Sequence, residues 1–170
     1  MLIIYAFLII VTVVFYEVVS FIVHIVYLVK ISSMVDNINS KYDLLLLRLK
    51  DYEYCIAEVF RRQGYRVQLS NHFGDGGNGI ILDDIYYVIV NKVSFHNLVE
   101  IEQAKKLIKH MSDNDIHRGM IITLGDFKTN TKNYCHTNVI KCINGDQLLR
   151  MIKDVQTESV ESIFSRYFQS

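Results

Sequence analysis

The chain opens with a long apolar run. From Leu2 to Tyr16 every residue is apolar except Thr12, and the run continues to Val29. About 28 residues at ~1.5 Å per residue make a helix of roughly 42 Å, longer than the hydrocarbon core of a bilayer. The start lacks the basic n-region and small-x-small site of a cleavable signal peptide. We therefore expect residues 1–30 to be an uncleaved transmembrane signal-anchor of a single-pass membrane protein.

Polar residues interrupt the apolar run on one helix face. Glu17 and His24 are seven residues apart, and Ser20 lies between them on the same face. Because ionisable groups inside a membrane normally face protein, we predict a partner-helix contact at Glu17, Ser20 and His24. Alternatively, the span ends near Tyr16 and both ionisable groups lie at the lipid headgroups.

A change of pattern follows the anchor. Residues 31–41 are rich in Ser and Asn and predict a linker that ends in an N-cap at Ser40. Apolar residues then recur at helical spacing over 42–63, and Gly64 supplies a C-terminal stop. We expect residues 42–170 to form one domain, and a chain that starts near Ser40 to be soluble.

Strands and helices alternate through this domain. We predict, in chain order, a strand at 65–69, a hairpin at 80–82 and 85–90, a helix at 97–111, a strand at 120–124, a helix at 126–136, a strand at 139–142 and a helix opened by residues 144–146. Such alternation predicts an α/β domain with a mixed sheet flanked by helices on both faces.

Composition and charge limit the classes of function that this chain can have. The formal net charge is zero, with 18 basic and 18 acidic residues, so the chain lacks the electrostatic signature of a dedicated nucleic-acid binder. The three cysteines lack the paired spacing of a zinc site. Cys55 lies among apolar neighbours and is expected to be a buried thiol. Whether Cys135 and Cys142 form a bridge stays open, because it would close only a short loop.

Charge around the anchor bears on orientation. Lys30, Lys41 and Arg48 follow the apolar run, whereas no Lys or Arg precedes it. The positive-inside rule therefore weakly places the domain on the cytoplasmic or nucleoplasmic side.

Several short sequence motifs lie between residues 52 and 150. They are Tyr52-Glu-Tyr-Cys-Ile-Ala-Glu-Val-Phe-Arg-Arg-Gln-Gly-Tyr65, Gly74-Asp-Gly-Gly77, Val90-Asn-Lys92, Gly119-Met-Ile-Ile-Thr123 with Gly125-Asp-Phe127, and Asn144-Gly-Asp-Gln-Leu148. This set resembles the Mrr-type restriction endonuclease-like domain. That family has an aromatic-Glu helix, an Asp-Gly-Gly-x-Asp loop and a Gln/Glu-x-Lys triplet. The resemblance implies a restriction endonuclease-like fold behind the anchor.

The same comparison implies a damaged active site. Nucleases of this fold bind a divalent cation through oxygen ligands. Here Val90 stands where the triplet requires a carboxylate or amide, and Gly79, or Asn78 if the loop is one residue shorter, replaces the second aspartate. The vestigial candidates are Glu53, Asp75, Asn78 and Lys92. We expect a pseudo-nuclease with no metal and no cofactor.

The whole chain also resembles the baculovirus 19 kDa envelope protein family, per os infectivity factor four. Residues 1–5, residues 15–24 and the proline-free composition carry this likeness. It implies a subunit of the virion's envelope complex that is needed for oral infection of insect midgut cells, with other membrane proteins of that complex as partners. It would place the domain outside the envelope, which the positive-inside rule does not favour.

Three functions are thus open. The leading hypothesis is a non-enzymatic structural subunit of a membrane complex that does not bind nucleic acid. The alternative is a membrane-tethered metal-dependent nuclease in which Asp75 and Glu53 bind the metal and Lys92 lies near the phosphate. A soluble nucleic-acid-binding module is a third class, but the length of the apolar run argues against it.

Overall fold

The computed structural model describes residues 2–70 and 79–156, with side chains from Ile9 onward. The helices are α1 (Leu2–Asn37), α2 (Lys41–Leu46), α3 (Leu49–Arg62), α4 (Ile101–Asp113), α5 (Thr129–Thr137) and α6 (Gly145–Val155). The strands are β1 (Val67–Ser70), β2 (Gly79–Leu82), β3 (Tyr86–Asn91), β4 (Leu98–Val99), β5 (Arg118–Thr123), β6 (Asp126–Phe127) and β7 (Ile140–Ile143).

The main sheet is mixed, as predicted. Its strand order is β1-β2-β3-β5-β7, with antiparallel pairing from β1 to β3 and parallel pairing from β3 to β7. The β2–β3 hairpin turns through Asp83 and Asp84, whose φ values of 53° and 57° are those a type I′ turn requires. The short strands β4 and β6 form a separate parallel pair.

Helices cover both faces of the sheet. Helices α1, α3 and α6 pack on the face that presents Val88 and Ile122, which we call the α3 side. Helices α4 and α5 pack on the face that presents Tyr87 and Ile121, the α4 side. Alternate residues of β3 therefore face different cores, which is the two-residue period of a strand.

Helix α1 does not end where the sequence predicted. It continues to Asn37, and Ile31, Val35 and Ile38 are at most 2 % exposed in the core on the α3 side. The predicted linker at 31–41 is therefore wrong for most of its length. These apolar residues are spaced by four and three, which is helical spacing inside a polar segment. Ser40 is nevertheless an N-cap, since its Oγ accepts from the Asp43 backbone N–H at 3.3 Å.

A break also divides the helix predicted at 42–63. Leu47 and Arg48 have ψ values of 148° and 152°, so α2 and α3 are separate helices. Gly64 ends α3 in the left-handed conformation with φ 92°, as predicted. The helices predicted at 97–111 and 126–136 begin a few residues later, because β4 and β6 occupy their first residues.

The buried side chain of Arg62 connects α1 to the domain. The Arg62 side chain is 0 % exposed, and its guanidinium donates to Asp36 and to Ser32 Oγ, both at 2.5 Å. It also donates to Glu58 at 3.2 Å and to the Val155 carbonyl at 3.1 Å. Burial alone would lower the pKa of Arg62, but these acceptors and the two acidic charges raise it overall. The end of α1 is therefore held on α3 and α6.

The three cysteines lie in the domain as free thiols. Cys55 is buried in the core on the α3 side, as predicted, and burial raises its pKa to about 12. Cys135 on α5 and Cys142 on β7 share a hydrogen bond, which raises the pKa of the Cys142 thiol.

Candidate functional site

Strand β3 positions two residues of the expected nuclease triplet. Val90 is 6 % exposed and packs into the core on the α3 side. Lys92 follows the strand, and its ammonium donates to the carbonyl of Leu47, just before α3. Burial lowers the pKa of Lys92. A valine methyl cannot bind a cation, and the lysine is already engaged by a backbone oxygen.

Two residues, Gly79 and Asn78, are the alternatives for the position of the missing aspartate. A Cβ at Gly79 would lie 2.4 Å from the Tyr87 hydroxyl, and Tyr87 belongs to the core on the α4 side. Because Val90 faces the α3 side, a carboxylate at Gly79 could not lie beside it. The other alternative, Asn78, lies outside the described residues, as does Asp75.

Acidic residues crowd the start of α3. Glu53 is 2 % exposed there, and Lys92 contacts the residue two positions before this helix. Asp51 accepts hydrogen bonds from the Tyr27 hydroxyl and from Arg48, both at 2.9 Å. Burial raises the pKa of Asp51, but these two donors outweigh it and the net shift is downward. Asp51 thus joins α1 to α3.

The described residues do not by themselves make up a divalent-metal site. Magnesium needs several oxygen ligands, with one or two carboxylates among them. Across residues 2–70 and 79–156, no group of three or more His, Cys, Asp or Glu side chains could hold a metal ion. We therefore derive no metal-dependent step from this arrangement.

A cavity of about 490 Å³ lies at the carboxyl end of β3, next to β4 and α4. Its charged and polar lining includes Asn91, His96, Asn97, Glu100, Glu102, Gln103 and Lys128. Lys128 lies 2.5 Å from Glu100 and lowers the pKa of that carboxyl. None of these lining residues is among the site residues predicted from the sequence. Only the position of the cavity, after a buried strand of an α/β sheet, could have indicated it.

The predicted partner-helix residues all lie on the exposed part of α1. Glu17, Ser20 and His24 are exposed, as is every described residue from Ile9 to His24. Within the segment Ile9–Asn37, an 18-residue window has a mean hydropathy of 2.4, and the helix could cross a membrane by length and composition. Exposed apolar residues continue after Glu17 as far as Val29, which is 45 % exposed. This favours a span longer than one ending at Tyr16.

Comparison with known proteins places this domain in a family. The family model Mrr_cat, described as restriction endonuclease, matches residues 45–152. The chain belongs to this restriction endonuclease family. A comparison with curated proteins gave no match. The expected resemblance to the viral envelope family is therefore supported by no homologue.

Several solved structures are similar to the chain. The DNA modification-dependent restriction endonuclease AspBHI shares 12% identity with a TM-score of 0.49, over 70% of this chain and 35% of that one. The protein of unknown function AF1548 shares 13% identity with a TM-score of 0.48, over 68% and 75%. MspJI restriction endonuclease, in complex with a 27-mer oligonucleotide, shares 18% identity with a TM-score of 0.44, over 85% and 35%. This chain thus spans about a third of the length of either named nuclease.

Proposed function

We propose that this chain is a membrane-anchored, non-enzymatic member of the restriction endonuclease family that serves as a structural subunit of a membrane protein complex. One observation carries the proposal. At the end of β3, buried Val90 replaces the expected metal ligand and Lys92 contacts the Leu47 carbonyl. A valine at this position gives a catalytic cation neither an oxygen ligand nor negative charge.

Exposed apolar surface supports the membrane location. Phe15 is 68 %, Phe21 58 % and Val23 63 % exposed on α1. Contiguous apolar surface of this extent is rare on soluble proteins and is typical of membrane or protein contact. Alkaline carbonate extraction of membranes tests the location, and release of the full chain into the supernatant would contradict it.

A cleavage assay tests the loss of activity. Single- and double-stranded DNA are incubated with the full chain in mild detergent and with magnesium or manganese, beside a Lys92→Ala variant. We expect no metal-dependent cleavage by either protein. Cleavage that needs metal and disappears in Lys92→Ala would show a functioning active site.

The partner interaction has its own test. Glu17→Leu combined with His24→Leu removes both ionisable groups from one face of the exposed part of α1. We expect chains that co-purify with the wild type from mild detergent to be lost. A matched variant, Phe15→Leu with Ile22→Leu on the opposite face, should retain them. Equal recovery from both variants would refute a contact at Glu17, Ser20 and His24.

Family membership supports one alternative, a membrane-tethered metal-dependent nuclease, and the cleavage assay decides between the two. The viral form of the proposal makes the complex that of a virion envelope needed for oral infection of insect cells. That form rests on the likeness of residues 1–5 and 15–24 and on the proline-free composition. Identification of the co-purifying chains tests it directly.

A further inference from the structure

Helices α1 and α3 run in the same direction. The Tyr27 hydroxyl donates to Asp51 in the first turn of α3, at 2.9 Å. Further along, Asp36 of α1 meets Arg62 in the last turn of α3, at 2.5 Å. Both helices therefore lead away from the exposed apolar part of α1, and the start of α3 is the end of the domain nearest to it.

The carboxyl end of β3 lies at this same end of the domain. Lys92, which follows β3, contacts Leu47 just before α3. The opposite end of the sheet, at the amino end of β3, lies beyond the end of α3. There the Arg66 backbone N–H donates to Asp83 in the β2–β3 turn at 2.8 Å. The end of the sheet where this family would carry its nuclease site thus faces the exposed apolar part of α1.

Helix length sets the distance between the carboxyl end of β3 and a bilayer. A hydrocarbon core of ~30 Å takes about 20 helical residues, so a span over residues 5–24 crosses it and Tyr27 lies only ~5 Å beyond. Tyr27 and Tyr54 make an edge-to-face pair at 5.1 Å, and Lys50 Nζ lies 5.5 Å from the Tyr27 ring centroid. Tyrosine and lysine at this depth are typical of the headgroup layer.

The surface beside this pair combines apolar and basic side chains. Around the α2–α3 break, Leu46 is 67 % and Leu49 37 % exposed. The Arg48 side chain is 77 % exposed, and Lys50 is exposed as well. Apolar side chains that enter the interface beside cations that attract anionic headgroups are the features of a lipid-contacting surface.

We propose that Leu46, Arg48, Leu49 and Lys50 form a bilayer-facing surface on which the domain rests, with anionic phospholipid headgroups as its ligand. The inference depends on the proposed membrane location. Since α1 continues without a break into the core, the domain cannot turn away from the lipid without breaking its contacts with α3. The bilayer then covers the carboxyl end of β3 and leaves no room for duplex DNA.

Tryptophan fluorescence can test this contact, because the chain contains no tryptophan. The full chain is reconstituted into vesicles of phosphatidylglycerol and a phosphatidylcholine brominated near the headgroup end of its acyl chains. Leu46→Trp reports on the bilayer-facing surface, and Val19→Trp reports on the membrane span. Ile85→Trp is the matched control, since Ile85 is an exposed apolar residue, 49 % accessible, at the opposite end of the sheet.

We expect Leu46→Trp to lose most of its fluorescence relative to non-brominated vesicles and to emit at shorter wavelength, while Ile85→Trp is unchanged. Quenching of Val19→Trp without quenching of Leu46→Trp would overturn the bilayer-facing surface and leave the anchor intact. Absence of quenching at Val19→Trp would overturn both. Equal quenching at Leu46→Trp and Ile85→Trp would also refute a fixed orientation.

A charge-matched pair tests the role of anionic lipid. In the Leu46→Trp background, Arg48→Gln with Lys50→Gln, which removes both cations of the bilayer-facing surface, should reduce the quenching. Lys105→Gln with Lys109→Gln, which removes two exposed cations from α4, should not. Equal quenching in both pairs would refute recognition of anionic headgroups.

Discussion

Removal of residues 1–39 should unfold the domain, although the sequence pattern favours a soluble product. A chain that starts at Ser40 loses Leu28, Ile31, Val35 and Ile38, none more than 7 % exposed. Burial of each such side chain stabilises a fold by ~1.5–3 kcal/mol, so their joint loss removes about 6–12 kcal/mol. That is comparable to the entire stability of a typical domain, about 5–15 kcal/mol.

The assay compares two truncated chains by circular dichroism during heating. A chain that starts at Val26 keeps the four buried side chains, and we expect it to unfold cooperatively. The chain that starts at Ser40 should show no cooperative transition and should bind a hydrophobic dye. Cooperative unfolding of both chains at similar temperatures would refute the assignment of α1 to the core.

Point variants of the full chain in detergent separate packing from chain length. Ile31→Ala should cost about 2–5 kcal/mol, because it empties a fully buried position. Ile22→Ala is the matched control on the same helix, since Ile22 is 54 % exposed. An equal effect of both substitutions on the urea midpoint would contradict the burial of Ile31.

Three further outcomes are expected. Arg62→Met removes the cation that pairs with buried Glu58 and should lower the free energy of unfolding in urea by about 3–5 kcal/mol. Arg66→Gln, at an exposed ion pair, is the control and should lower it by less than about 1 kcal/mol. Backbone hydrogen bonds lower the folded-state pKa of Asp43, so its contribution is present above the unfolded pKa of about 3.9 and is lost as pH falls through the folded value. Asp43→Asn should therefore lower stability at pH 7 but not in strong acid, and an equal loss at both pH values would contradict this. Cys55, with its pKa raised to about 12 by burial, should resist alkylation at neutral pH until urea unfolds the chain, as mass spectrometry of the alkylated protein would show.

Local patterns sufficed for much of this protein. Length and hydropathy of residues 2–29 indicated the apolar helix, and short apolar runs indicated the central strands. Ser40 and Gly64 marked helix ends correctly, because caps and stops depend on neighbouring residues only. The order of short motifs was enough to predict the family that the match over residues 45–152 establishes.

Tertiary structure decided what distant segments do to one another. No local signal joins Arg62 to Ser32 and Asp36, about thirty residues earlier, and so the polar segment after the apolar run seemed to be a linker. Likewise, the pleat of β2 turned a position at Gly79 towards Tyr87 and away from Val90. Sequence spacing determines which residues can share a helix or strand face, whereas the packing of α1 on α3 determines that the carboxyl end of β3 faces back along the anchor.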